Sequence, residues 1–103
     1  MEVTPYLEEA HRDVLRRIYL EARRATFQWL DTSTFAACDF DRDTAGESIL
    51  VLCDQEVVGF SSVWLPDRFL HHLYLDPGLK RNGYGSELLK QTVASVIGPM
   101  RLK

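Results

Sequence analysis

The stretch LYLDPGLKRNGYGSELLKQTV, Leu73 to Val93, decides how this chain is read. An apolar run breaks at Asp76-Pro77 and crosses a short basic loop with glycines at 83 and 85. Apolar residues then return with helical spacing. A helix start carries unpaired N–H groups and a partial positive charge, so a loop feeding it suits an anion. Glycine lets such a loop turn tightly and approach a ligand without a Cβ in the way. Lys80 and Arg81 add positive charge at its rim. The plainer alternative is that Gly83 only eases a strand-to-helix turn. Two other phosphate loops are excluded. A P-loop requires Lys and then Ser or Thr after Gly78-x-x-x-x-Gly83, where Tyr84 stands; a dinucleotide fingerprint from Gly83 requires glycine at 88, where Leu88 stands.

Working outward, Glu2 to Leu7 reads as a short strand. Glu8 to Phe27 reads as an amphipathic helix with Val14, Leu15, Ile18, Tyr19 and Ala22 in its apolar stripe. Arg12, Arg16, Arg17, Glu21, Arg23 and Arg24 are expected on its solvated face. DTSTFAACDFDRDTAGE has no sustained period, which predicts a loop with one short helix starting near Thr32 or Ser33. SILVLCDQEVVGFSSVWL predicts a β-hairpin joined at Asp54-Gln55, and Arg68 to Leu75 a further strand. Gly85 to Ile97 predicts a helix with Leu88, Leu89, Thr92, Val93 and Val96 inward, ended by Gly98-Pro99. MRLK looks like the start of another strand. No repeat or linker divides the chain, so residues 1–103 are expected to form a single domain of mixed α/β class.

Composition narrows the function. With 12 Lys+Arg against 15 Asp+Glu, the chain lacks the basic excess that a nucleic-acid binder needs. Cys38 and Cys53 make neither a disulfide framework nor a four-ligand zinc site, and they read as buried small hydrophobes; no metal site is expected. The charged start and the absence of a long apolar run predict no membrane partner and a cytoplasmic location.

The pattern of a basic residue, two spacers, Gly, one spacer, Gly, with LYLDP before it and SELL after it, resembles the GNAT superfamily of acetyl-CoA-dependent N-acetyltransferases. The resemblance extends over the whole chain and implies a mixed, mostly antiparallel sheet flanked by helices. It also implies that the usual C-terminal helix and closing strands are missing, so the domain is expected to be C-terminally truncated. Lys80 stands where the family signature has Arg or Gln, keeping the charge but not the planar fork. By the resemblance, Lys80, Arg81, Asn82, Gly83, Tyr84, Gly85 and Ser86 hold the coenzyme A pyrophosphate. Leu73 and Leu75 lie along the pantetheine arm, and the Leu73 backbone N–H binds the thioester carbonyl. Losing one such oxyanion donor costs roughly 2.7–4 kcal/mol.

The acceptor amine must lose a proton before attack. A lysine-like amine, with pKa about 10.4, carries a deficit of roughly 4.6 kcal/mol at neutral pH that a base or desolvation has to offset. Strand alternation places Phe69, His71, Leu73 and Leu75 on one face and His72, Tyr74 and Asp76 on the other. His71 therefore falls on the side of the reacting carbonyl, and by its offset from the glycines it resembles a histidine of the arylalkylamine members. It is the candidate base; a histidine satisfied by neighbouring hydrogen bonds is the alternative. Asp39, Asp41, Asp43 and Glu47 could attract a cationic amine, although solvated loop charge is the simpler reading. Phe27 and Trp29 could line an acceptor pocket or belong to the core. The expected activity is direct acetyl transfer from acetyl-CoA to a primary amine, of a small molecule or a peptide, in a ternary complex. The alternative is an inactive coenzyme A-binding or interaction module. An exposed sheet edge favours association with a second copy.

Overall fold

Burying one apolar stripe organises the first half of the chain. In the computed structural model, which describes residues 1–26, 35–36, 38–79, 83–96 and 101–102, helix α1 (Glu8–Thr26) packs Leu15, Ile18, Tyr19 and Ala22 onto a sheet. The sheet has five strands in the order β1 (Glu2–Pro5), β2 (Ser48–Asp54), β3 (Glu56–Trp64), β4 (Phe69–Leu75) and β5 (Arg101–Leu102). The first four are antiparallel neighbours, and β5 runs parallel to β4. A short helix α2 (Asp39–Asp43) precedes β2, and α3 (Tyr84–Ala94) follows β4.

The side-chain period of a strand divides the core in two. Val51 and Phe60 face α1 and α2, where they meet Leu15, Ile18, Tyr19 and Phe40. Leu52 and Val58 face α3, where they meet Tyr84 and Leu88, with Leu73 and Leu75 packed against them. On this second side Thr92 bonds Ser61, Oγ1 to Oγ at 2.7 Å, and donates to the Leu88 carbonyl at 2.6 Å, so two buried hydroxyls satisfy each other. Among the described residues, no helix is long and apolar enough to cross a membrane.

Several expectations change on contact with the packing. Arg23 is buried rather than solvated: its guanidinium lies 4.1 Å from the Tyr19 ring centre and 4.5 Å from that of Phe35, and it pairs with Asp39 at 3.2 Å. Cys38 is exposed because it stands at the start of α2, while Cys53 is half-buried and burial raises its thiol pKa. Val93 is 44% exposed; Leu88 and Thr92 fill the inward positions of α3 without it. The short helix forms at Asp39–Asp43, and the start expected at Thr32 or Ser33 lies outside the described residues, as do Phe27 and Trp29.

Gly59 is where β3 and β4 come closest. It pairs with Leu75, and a Cβ at this position would stand 2.5 Å from the Tyr74 carbonyl oxygen. Gly59→Ala should therefore lower stability by about 1–3 kcal/mol in urea unfolding. Gly85→Ala, whose added carbon would meet only Leu75 Cδ1 at 3.7 Å, should not.

Candidate functional site

The glycine loop begins at a carboxylate. The Asp76 side chain is 5% exposed, and its Oδ1 accepts the Gly78 N–H at 2.9 Å while its Oδ2 accepts Arg17 Nη2 at 3.0 Å. Its own N–H donates to the Val58 carbonyl at 2.8 Å, and its carbonyl accepts the Leu79 N–H at 3.0 Å. One residue thus sets the turn at Pro77–Leu79 and ties it to both α1 and β3. Gly83 then opens α3 in the left-handed region, at φ 96°, with no side-chain cap and with open space where a Cβ would be. The Glu87 N–H closes the first helical bond onto the Gly83 carbonyl at 2.9 Å. Helical geometry aims the N–H groups of the first turn, those of Gly85 and Ser86 among them, out of the helix start. A cavity of about 390 Å³ adjoins it, lined in part by Gly78, Leu79 and Tyr84. The Tyr84 side chain is buried and donates to Asp54 Oδ2 at 2.7 Å, anchoring the helix start to the end of β2. Lys80, Arg81 and Asn82 lie outside the described residues.

Strand β4 departs from regular alternation. Ser62 pairs with His72, but Val63 pairs with Leu70, so β4 holds one extra residue, His71, opposite β3. The bulge overturns the expectation that His71 shares a face with Leu73 while His72 lies opposite. The two imidazoles instead stand side by side, ring centres 3.9 Å apart, and both address Glu47. Beyond the bulge, alternation resumes. His72 and Tyr74 face Tyr19 of α1, whereas Leu73 and Leu75 face α3.

The register also fixes the backbone. Since Asp76 donates to Val58, and hydrogen-bonded and non-bonded pairs alternate along antiparallel strands, Tyr74 points its N–H at β3 and Leu73 and Leu75 point theirs at the outer edge. Among the described residues, β5 covers that edge only at Phe69 and Leu70. A cavity of about 300 Å³ lies along Leu70, His71, His72, Leu73 and Tyr74.

Glu47, in the turn before β2, completes the cluster. Its side chain is 6% exposed, and its Oε2 lies 2.5 Å from His71 Nδ1. A carboxylate only accepts, so His71 carries a proton on Nδ1, and in the neutral imidazole Nε2 holds the lone pair. Behind His72 runs a second chain of hydrogen bonds. Tyr19 donates to Asp43 Oδ2 at 2.7 Å, and its oxygen stands 3.4 Å from His72 Nε2; His72 Nδ1 bonds Ser62 Oγ at 2.8 Å. With its hydrogen committed to Asp43, the Tyr19 oxygen accepts, which places the His72 proton on Nε2. Burial, reinforced by the neighbouring His71 and opposed by Glu47 and Asp43, pushes the His72 pKa down. Burial and then the bond to Asp43 push the Tyr19 pKa far up, so it remains a phenol.

The acidic residues before β2 have internal partners. Asp39 pairs with Arg23, Asp41 with Arg16 and Asp43 with Arg42. The Ala36 N–H bond and then Arg23 lower the Asp39 pKa against a burial penalty. A cavity of about 460 Å³ has Glu47 in its wall with Tyr6, Glu8, Arg12, Phe40 and Asp41. Glu47 thus borders this cavity and also bonds His71, which lines the cavity along β4. Sequence reasoning named His71 and Leu73 but gave Glu47 no part beside the histidine and Asp76 none in the loop. The Asp-Pro-Gly turn was the available signal for Asp76; nothing local marks Glu47.

The profile of the Acetyltransferase (GNAT) family matches residues 9–97. Among solved structures, the chain is similar to the ribosomal-protein-alanine N-acetyltransferase from Brucella melitensis, with a TM-score of 0.68 and 19% identity over 92% of this chain and 66% of that one. It is similar to YjaB from Escherichia coli, with a TM-score of 0.68 and 18% identity over 92% and 65% of the two chains. A GCN5-related N-acetyltransferase from Rhodopseudomonas palustris gives a TM-score of 0.66 and 22% identity over 91% and 64%. At these identities the likeness is one of fold, and the chain spans about two thirds of the length of these structures. No curated protein sequence matches it significantly.

Because the folded His72 resists protonation, only the unfolded chain takes up this proton between the ordinary value of 6.5 and the lowered one. Stability from this group is therefore constant above about pH 6.5 and falls on acidification, by at most about 1.4 kcal/mol per pH unit. Thermal midpoints measured from pH 8 to 5 should stay level and then decline, and His72→Gln should flatten the decline.

Proposed function

The chain belongs to the acetyltransferase (GNAT) family, and from that premise we propose that it moves an acetyl group from acetyl-CoA directly to a primary amine in a ternary complex. The observation that carries the reading is the placement of His71. It is held by Glu47 at 2.5 Å on one side and lines the β4 cavity on the other, two residues from the outward N–H of Leu73.

The residues present suit the donor. Gly83 leaves open space at an uncapped helix start, and the N–H groups of Gly83, Tyr84, Gly85 and Ser86, with Lys80, Arg81 and Asn82 before them, would hold the pyrophosphate. Acetyl-CoA supplies the activated thioester. The Leu73 N–H would donate to the developing oxyanion, with Leu75 contacting the adjoining arm. His71 Nε2 takes the proton of the incoming amine, and Glu47 fixes the imidazole in the required tautomer while stabilising its cation. The cavity along β4, which His71 lines with Leu70, Leu73 and Tyr74, is where an amine from a small molecule or a peptide would meet His71 Nε2. We place this activity in the cytoplasm.

Calorimetric titration with acetyl-CoA should show saturable binding that Gly83→Asp abolishes, since an acidic side chain would repel the phosphates and the substitution strains a φ of 96°. In acetylation assays with a panel of amines, His71→Ala should lower kcat by about 10²–10⁴-fold while acetyl-CoA still binds. Binding without turnover by the unaltered chain would favour a coenzyme A-binding module instead. Turnover indifferent to His71→Ala would remove the base from the mechanism.

A further inference from the structure

Glu47, His71 and His72 place three donor atoms within 4.8 Å of one another. The contact between His71 and Glu47 is ordinary, with His71 Nδ1–H donating to Glu47 Oε2. The contact between Glu47 and His72 is not. Glu47 Oε1 is buried and has no hydrogen-bond partner, and it faces His72 Nδ1 at 3.6 Å, beyond hydrogen-bonding reach. The chain from Asp43 through Tyr19 puts the His72 proton on Nε2, so its Nδ1 is a lone pair. Ser62 donates to that lone pair, so Glu47 Oε1 alone is left with no proton to accept, beside an imidazole nitrogen that a metal ion could take over from the Ser62 hydroxyl. A buried acceptor left in this way is destabilising, and a cation at that point would satisfy it.

We infer that Glu47, His71 and His72 form a divalent metal site, selective for Zn²⁺ or a similar borderline ion, with Glu47 Oε1 and the two Nδ1 atoms as ligands. Two imidazoles and one carboxylate suit this ion class, and three protein ligands leave a fourth position for water. That position opens toward His71, whose side chain is 29% exposed. Tetrahedral zinc with bonds of about 2.0–2.2 Å spaces its ligands on the order of 3.3 Å, so the donors close on the ion by side-chain shifts of roughly 1 Å. The outer support already exists. His72 Nε2–H is held by Tyr19, which is held by Asp43.

Binding has a chemical consequence for the neighbouring reaction. A neutral imidazole that binds metal through Nδ1 carries its proton on Nε2, the nitrogen assigned to accept the amine proton. The metal-bound form is therefore a blocked form of the base. The metal site itself rests on the cluster geometry and stands whether or not the chain transfers acetyl groups.

The test is a direct titration of the chelator-stripped chain with Zn²⁺ in competition with a chromophoric chelator. Co²⁺ serves as a visible-absorbance probe of tetrahedral coordination. The expected result is one ion per chain, with affinity falling by at least about tenfold in Glu47→Gln and in His71→Asn and unchanged in His11→Gln. His71 is partly exposed, so its variant keeps the fold, which circular dichroism checks. Absence of binding, or binding equally tight in both cluster variants, overturns the site, and neither result bears on acetyl-CoA binding or turnover.

Discussion

The extra residue in β4 is the constraint from which the geometry of this protein follows. β3 is buried from Val58 to Val63 and cannot shift, because Gly59 already brings β4 as near as backbones allow. The surplus residue must be taken up within β4, and it is taken up at His71. A strand without the bulge would send one histidine to α1 and the other to α3. With it, both turn toward Glu47, and alternation downstream still delivers Leu73 and Leu75 to the α3 side. Side-chain chemistry and backbone chemistry thereby meet at one edge of one strand.

Helix α1 is held to this strand by polar contacts more than its sequence suggests. Arg17 reaches Asp76 at the end of β4, Tyr19 reaches His72 at its middle, and Arg16 and Arg23 hold α2, which brings Asp43 to Tyr19. Of these, Arg23 and Asp76 are buried, and buried charges require paired geometry to be tolerated. Their partners are supplied by different elements, so the cluster around Glu47 forms only when α1, α2, β2 and β4 are all in place.

The sequence made the element order legible because each element carries its own period and its own stop. The stripe Leu15, Ile18, Tyr19, Ala22 and the turn Asp76-Pro77-Gly78 are local signals, as is Gly83 ahead of a helix. His71 was singled out only because its offset from those glycines resembles that of a histidine in the arylalkylamine members. Its direction was not legible. A bulge is a mismatch between two strands, and neither strand announces it alone. Arg23 misled for a similar reason: its place on the helix wheel is polar, but Phe35 and Asp39 close over it from beyond the helix, opposite Tyr19 one turn earlier. Glu47 sits far from His71 in sequence, and only the pairing of β2, β3 and β4 brings them together.

The Arg23 contacts have a consequence for how this chain could vary. Arg23 donates to the Ala36 carbonyl, and the Ala36 N–H donates to Asp39, so the chain that departs α1 at Thr26 is fastened again at Ala36, beside the place it left. The two ends of the span 27–34 are therefore joined by Arg23, Ala36 and Asp39. Doubling the length of such a span costs only about 0.6 kcal/mol in closure entropy. A longer span would thus cost little so long as Arg23, Ala36 and Asp39 keep their contacts, and α2 would still bring Asp43 to Tyr19.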